Sequence, residues 1–330
     1  MRHFVLYLGL ALLLASPAQA ETFKEFIAGL KIELTEKGLD ATILDRAVTS
    51  TPTLDTSVTK KLKKQPESTF TFEQYRNRLV SKRRVLDGTQ KIQEYKDLIT
   101  SISSSYEIPY GVIAALWGVE TSYGKLPGKF NIINSLATLA YKSHRRDFFR
   151  KELVNAVRIV HEGHISLDDL TGSWAGAMGQ CQFMPSSFFS FAADGNNDGR
   201  KDIWQTEADV FASAANYLKK SGWRVGANWG QRVVLGEILP KIKISERGLT
   251  EPKPVSEWQD MGVFASQGGF DEPNNLNRTA RLFMPDGPSG KVYMVYENFD
   301  VIMKWNRSSY FAFAVLTLAD KLSMNTESRS

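Results

Sequence analysis

Apolar side chains three and four positions apart recur along most of this chain, and that spacing commits it to packed α-helices. Phe23, Phe26, Ile27, Leu30 and Leu34 mark the first, which Gly38 ends, and Asp40 caps a second carrying Ile43, Leu44 and Ala47. The polar stretch 51–69, with Pro52 and Pro66, reads as an extended crossing segment. A long amphipathic helix is predicted from about Phe72 to Tyr106, and others over 109–123, 145–162, 207–221 and 308–322, before a polar tail at 323–330. Between about 226 and 300 the pattern changes. Val233–Leu235, Ala280–Met284 and Lys291–Tyr296 read as short strands among Gly/Pro turns. The fold class is therefore mainly α (α+β), a helical body with a small β-containing lobe.

Residues 1–20 have the parts of a secretory signal: a basic start, an apolar run from Phe4 to Ala15, and Ala18-x-Ala20. The run is short for a bilayer span, and no cysteine stands at the cleavage position. The mature chain is expected to be exported, periplasmic, soluble and without a stable membrane anchor. Hydrophobic residues at 42% and charged residues at 23% exclude a disordered chain. The net charge of +5 is compatible with an anionic partner and selects none. Nucleic acid has no recognisable motif in its favour, and the basic run at Lys82-Arg83-Arg84 reads as a solvated helix face. Cys181 is the only cysteine, which excludes an internal disulfide and a Cys-based zinc site.

One acidic residue is unusually placed. Pro109 can open a helix, Val112, Ile113, Leu116 and Val119 mark its buried side, and Gly124 stands where it would stop. Glu120 falls on or beside that apolar stripe in the last turn. Desolvation and the negative end of the helix dipole both disfavour its ionised form. A carboxylic acid kept protonated near neutral pH is what a general acid for glycosidic cleavage requires. A second block, Ser173-Trp174-Ala175-Gly176-Ala177-Met178-Gly179-Gln180-Cys181-Gln182-Phe183-Met184-Pro185-Ser186-Ser187, sets small residues between aromatics and polar groups. An extended ligand could lie close to such a backbone, with Ser173 and Gln182 as hydrogen-bonding groups.

Together with Asp194 to Trp204, that block and Ala115-Leu116-Trp117-Gly118-Val119-Glu120-Thr121-Ser122-Tyr123-Gly124 closely resemble the membrane-bound lytic transglycosylase B family of murein transglycosylases. The resemblance spans most of residues 21–322. It implies a lysozyme-like helical core at about 105–225 with a deep groove, an added helical lobe and a small β lobe. It makes Glu120 the sole catalytic acid/base and peptidoglycan glycan strands the substrate. Arg145 and Arg146 match a basic pair lining the groove, Ser173 and Gln182 match polar groups near the cleavage subsites, and Tyr217 and Tyr75 match groove tyrosines. Asn306 and Tyr310 match residues beside the acid. Phe149, where some relatives have tyrosine, and Gln180-Cys181, in place of Tyr-Gly, depart from the pattern.

The implied reaction needs one carboxyl group, because the muramyl C6 hydroxyl replaces water as nucleophile and a 1,6-anhydro end results. Hydrolysis would need a second carboxylate; Asp147, Glu152 and Glu162 are those the fold could bring near. A hydrolytic muramidase and a non-catalytic peptidoglycan-binding protein are the competing expectations. No cofactor is required. Asp194, Asn196, Asp198 and Arg200 hold positions 1, 3, 5 and 7 of an EF-hand-like loop with Gly199 at the turn, but Gln205 stands at position 12. Asp209 could substitute. A structural calcium site and a metal-free Asx/Gly turn are both open readings.

Overall fold

A computed structural model describes residues 21–48, 54–63, 70–236, 242–267, 269–270 and 277–327, with side chains omitted at Lys63 and 325–327. The leader read over 1–20 lies outside them. The first helices are α1 (Phe23–Glu36), α2 (Thr42–Ala47) and α3 (Thr56–Lys63). α3 corrects the extended reading of 51–69 over the part that is described. Asp55 accepts the Ser57 and Val58 N–H groups at 2.8 and 3.1 Å, starting the helix, and Val58 is fully buried.

The single helix expected over 72–106 is three: α4 (Phe72–Leu79), α5 (Lys82–Glu94) and α6 (Lys96–Tyr106). The Ser81 hydroxyl accepts the Arg84 N–H at 3.3 Å and so starts a new helix where the old one would have continued. The second break, at Tyr95, lets α5 and α6 bend round α7 (Tyr110–Thr121), against which both pack. Thr71 and Gln74 form a reciprocal capping box at the start of α4, the helix that carries Tyr75. Thr71→Ala is expected to lower stability by about 1 kcal/mol, read as a lower urea midpoint at unchanged slope.

Next come β1 (Phe130–Asn131), α8 (Ile132–Lys142), α9 (Arg146–His161), β2 (Thr171–Gly172), α10 (Pro185–Phe191) and α11 (Glu207–Lys220). The β lobe holds β3 (Gly230–Leu235), β4 (Lys253–Pro254), α12 (Val255–Asp260), β5 (Val263–Ala265), β6 (Thr279–Phe283) and β7 (Val292–Val295). α13 (Glu297–Trp305) and α14 (Ser309–Glu327) close the chain. α14 therefore continues five residues beyond the expected end at 322, since no Gly or Pro interrupts 323–327, and the polar tail is correspondingly shorter.

Strand order in the larger sheet is β4-β6-β7-β3-β5, all antiparallel. Alternation along the strands splits its apolar residues between two cores. Leu282 and Met294 face a small core with Val233, Val263 and Trp258, while Phe283 and Val295 join the main helical core. α7 lies inside that main core, buried all round from Gly111 to Gly118. Gly111 lets α14 approach closely: a Cβ there would lie 2.9 Å from the Ala319 carbonyl oxygen.

Candidate active site

α7 stops abruptly after the acid. Ser122, Tyr123 and Gly124 follow in left-handed conformation, with φ of 53°, 60° and 78°. The two non-glycine residues carry strain of roughly 1–2 kcal/mol each. Local bonds hold them. The Ser122 and Tyr123 N–H groups donate to Gly118 and Trp117, and the Tyr123 hydroxyl donates to the Arg84 carbonyl at 2.9 Å. Buried Gln180 fixes the turn from the other side. It accepts the Trp117 indole N–H at 2.6 Å and donates to the Trp204 carbonyl at 3.0 Å, and its own carbonyl accepts from Thr121. The departure from the family pattern at Gln180 is thus what ties the acid's helix to the 173–187 block.

Glu120 keeps some accessible surface, yet protein surrounds its carboxyl closely enough for burial to push its pKa up to about 7. Only one influence opposes this: the Trp305 indole Nε1–H, which donates to Glu120 Oε1 at 2.8 Å and favours the ionised form. No second carboxylate figures among the causes. Glu152 is buried at the start of α10, accepting the Ser186 N–H and hydroxyl at 2.8 and 2.7 Å. Glu162 accepts from Arg158 at 2.6 Å, and Asp147 is exposed in the first turn of α9.

Trp305 escapes a sequence reading. It ends α13, between the β-containing stretch expected up to about 300 and the helix expected from 308, and it reaches Glu120 across 185 positions. Its ring packs against Tyr217 and Phe183, with centroids 4.7 and 5.1 Å away. The void at Glu120, walled by Leu116, Cys181, Phe211 and Trp305, is about 10 Å³, room for at most about one water molecule. Cys181 itself is buried, its thiol pushed up by burial and aimed at the Val210 carbonyl.

The other predicted residues divide. Tyr217 abuts Trp305, and Tyr75 is close enough for the Glu120 charge to add to burial in raising its phenol pKa. Tyr310 packs at a tilt against Tyr75, centroids 5.9 Å apart, and edge-on against Phe72 at 5.2 Å. Asn306 follows Trp305 and accepts the Ser308 N–H at the start of α14. Ser173 accepts the Ala177 N–H at 3.0 Å, and Gln182, at φ 51°, donates to the Pro127 and Gly179 carbonyls. Arg145 lies over the Phe148 ring at 4.1 Å; Arg146 is engaged by Glu21 and the Ala140 carbonyl. Among the described residues no hydrogen bond or ion pair joins Arg145, Arg146, Ser173, Gln182 or Asn306 to Glu120.

In the 194–202 loop, Asp194 accepts the Asp198 and Gly199 N–H groups and Asp198 accepts that of Arg200. Buried Asp209 spans the loop, accepting from Gly195 at 2.7 Å and Asp202 at 2.6 Å. Burial, and then the charges of Asp194 and Asp198, raise its pKa. Among the described residues no group of three or more Asp, Glu, His or Cys side chains is closed to metal-holding range. The donors expected from the sequence include an amide and a main-chain carbonyl beside the acids. Hard oxygen donors of this kind fit calcium in chemistry.

A desolvated carboxyl beneath aromatic walls in a helical body is the site of a lysozyme-like glycan-cleaving fold. Residues 22–320 match the family model described as Transglycosylase SLT domain. The chain is 30% identical over 252 residues to the membrane-bound lytic murein transglycosylase B of Escherichia coli K12, covering 76% of this chain and 67% of that one. SltB3 from Pseudomonas aeruginosa, solved with NAG-anhNAM-pentapeptide, superposes with a TM-score of 0.85 at 35% identity, over 92% of this chain and 80% of that one. Escherichia coli Slt35, solved with calcium, gives 0.78 at 26% identity over 91% and 93%. The chain belongs to the SLT family of lytic murein transglycosylases. Among the described residues no helix is long and apolar enough to cross a membrane.

Proposed function

We propose that this enzyme cleaves the MurNAc–GlcNAc β-1,4 bond of peptidoglycan without water, with Glu120 as acid and then base. The observation that carries this reading is the solitary carboxyl: Glu120 is held near pKa 7 by burial and bonded by Trp305, with no carboxylate partner acting on it. Because Oε1 accepts the indole N–H, the proton resides on Oε2. Oε2–H passes it to the glycosidic oxygen as the C1–O bond breaks, and the GlcNAc-bearing fragment leaves as an alcohol. The 2-acetamido group stabilises the positive C1. The carboxylate then removes the C6 hydroxyl proton as O6 bonds to C1, which restores the acid and closes the 1,6-anhydro ring. A group that gives and takes a proton in one cycle works best with a pKa near the ambient pH. Mass spectrometry of muropeptides released from purified sacculi tests this. Anhydro ends are expected; ends heavier by one water would identify a muramidase, and no release would identify a binding protein.

Cleavage of wall polymer suits an exported, periplasmic protein, in keeping with the leader-like residues 1–20. The Asp194, Asn196 and Asp198 side chains with the Arg200 carbonyl would hold a structural calcium ion, and Asp209 would close the loop. Calcium at about a hundred times its dissociation constant is expected to add roughly 2.7 kcal/mol of stability. A melting temperature that rises with calcium and falls back with chelator checks it; an unchanged one rejects it.

A further inference from the structure

Besides its accessible surface, Glu120 borders a small void of about 10 Å³, the lower limit for holding one water molecule. α11 presents Val210, Phe211 and Ala214 to that void, none of them titratable, and the 173–187 block presents Gln180 and Cys181, both buried. The Cys181 thiol donates to the Val210 carbonyl at 3.4 Å, and the Gln180 amide is bonded to Trp117 and Trp204. Among the described residues, the Trp305 indole of α13 is the one hydrogen-bond donor recorded at the Glu120 carboxyl. The titratable groups facing Glu120 are the Tyr75 phenol of α4 and the Cys181 thiol. Burial, and then the Glu120 charge, raise the pKa of both, so both stay neutral through the range in which Glu120 titrates.

We infer that Cys181 is a positioning residue for the acid: its sulfur fills the place beside the Glu120 carboxyl that a water molecule would otherwise take. The inference rests on the cleavage reading above and adds to it the side chain that keeps the proton donor dry. Sulfur suits the task, since a buried thiol behaves as a small apolar group and a weak donor, and here its hydrogen is directed at Val210. Cutting the side chain back to Cβ would enlarge the void beyond what a water needs and release the Val210 carbonyl. A water there would have two polar partners, that carbonyl and Glu120. By donating to the carboxylate it would favour the charged form and weaken the acid's hold on its proton.

The test is the pH profile of anhydro-product release by Cys181→Ala. The alkaline limb of kcat reports loss of the Glu120 proton in the substrate complex. It is expected about one pH unit lower than in wild type, a loss of about tenfold at pH 8 with little change at pH 5. Cys181→Val refills the space with apolar atoms and is expected to keep the limb at the wild-type position. An alanine limb that stays in place, or a valine limb that falls with it, overturns the inference while cleavage itself stands. A second measurement needs no turnover. The rise in urea midpoint that Glu120→Gln gives at pH 8.5 should be smaller in the Cys181→Ala background, and an equal rise overturns the inference. Wild-type enzyme that releases no anhydro product overturns the underlying reading and the inference together.

Discussion

Glu120→Gln is expected to reduce murein cleavage by about 10²–10⁴-fold or more, the usual contribution of a single general acid–base. The amide has the shape of the acid and can accept the Trp305 N–H, so the fold should persist while the proton is lost. The same substitution should change how stability depends on pH. In the folded chain Glu120 titrates at about 7, against 4.5 for an unperturbed glutamate. A raised carboxyl pKa means that the fold favours the neutral form. Its stabilising effect is full below pH 4.5 and is lost as pH rises through 7, when the charge must be held in a dry place. The shift corresponds to roughly 3 kcal/mol across that window. Gln has no charge to bury, so the variant should resist urea better than wild type at pH 8.5 and equal it at pH 4. Asp320, raised to about 6 by burial, titrates in both proteins and cancels in the comparison. Identical urea midpoints of variant and wild type at high pH would show that the acid is not desolvated, and the mechanism would lose its proton donor.

Trp305→Phe should move the pH–activity profile. Phenylalanine keeps the ring between Tyr217 and Phe183 but withdraws the one hydrogen bond recorded to Glu120. That bond supports the carboxylate, the form that must accept the C6 proton. Hydrogen bonds to charged groups are worth about 1.5–3 kcal/mol, so the Glu120 pKa should rise by roughly one to two units. The alkaline limb of kcat would shift upward by the same amount. Turnover at neutral pH should fall about tenfold as the carboxylate is less favoured and less firmly oriented, with KM nearly unchanged. A structural role alone would lower kcat without moving the limb. An unmoved limb would therefore reduce Trp305 to a packing residue.

The acid's helix could be read locally because its signals lie within fifteen residues of one another. Pro109 sits at its N-terminus, the apolar face runs from Val112 to Val119, and Gly124 lies in the turn beyond its end. Breaks at Ser81 and Tyr95 were not legible as breaks, since the amphipathic period runs through them and only the need to wrap α7 makes a bend favourable. α13 was hidden for a related reason: it follows directly on β7, with no Gly or Pro between the two to mark where strand ends and helix begins. Residues matched to the groove and its cleavage subsites proved to have structural tasks as well. Ser173 and Gln182 fold their own loop, and Arg146 is engaged by Glu21.

The chain alone therefore determined which carboxyl is unusual, because apolar spacing and a helix end are properties of neighbours. It determined the helical class and the small sheet on the same grounds. Tertiary structure decided how that carboxyl is tuned: an indole from the far end of the chain donates to one oxygen, and of the candidate partner carboxylates Glu152 and Glu162 are drawn into other bonds. Desolvation and hydrogen bonding act over a few ångströms of space, and distance along a sequence carries no information about which distant groups will share them.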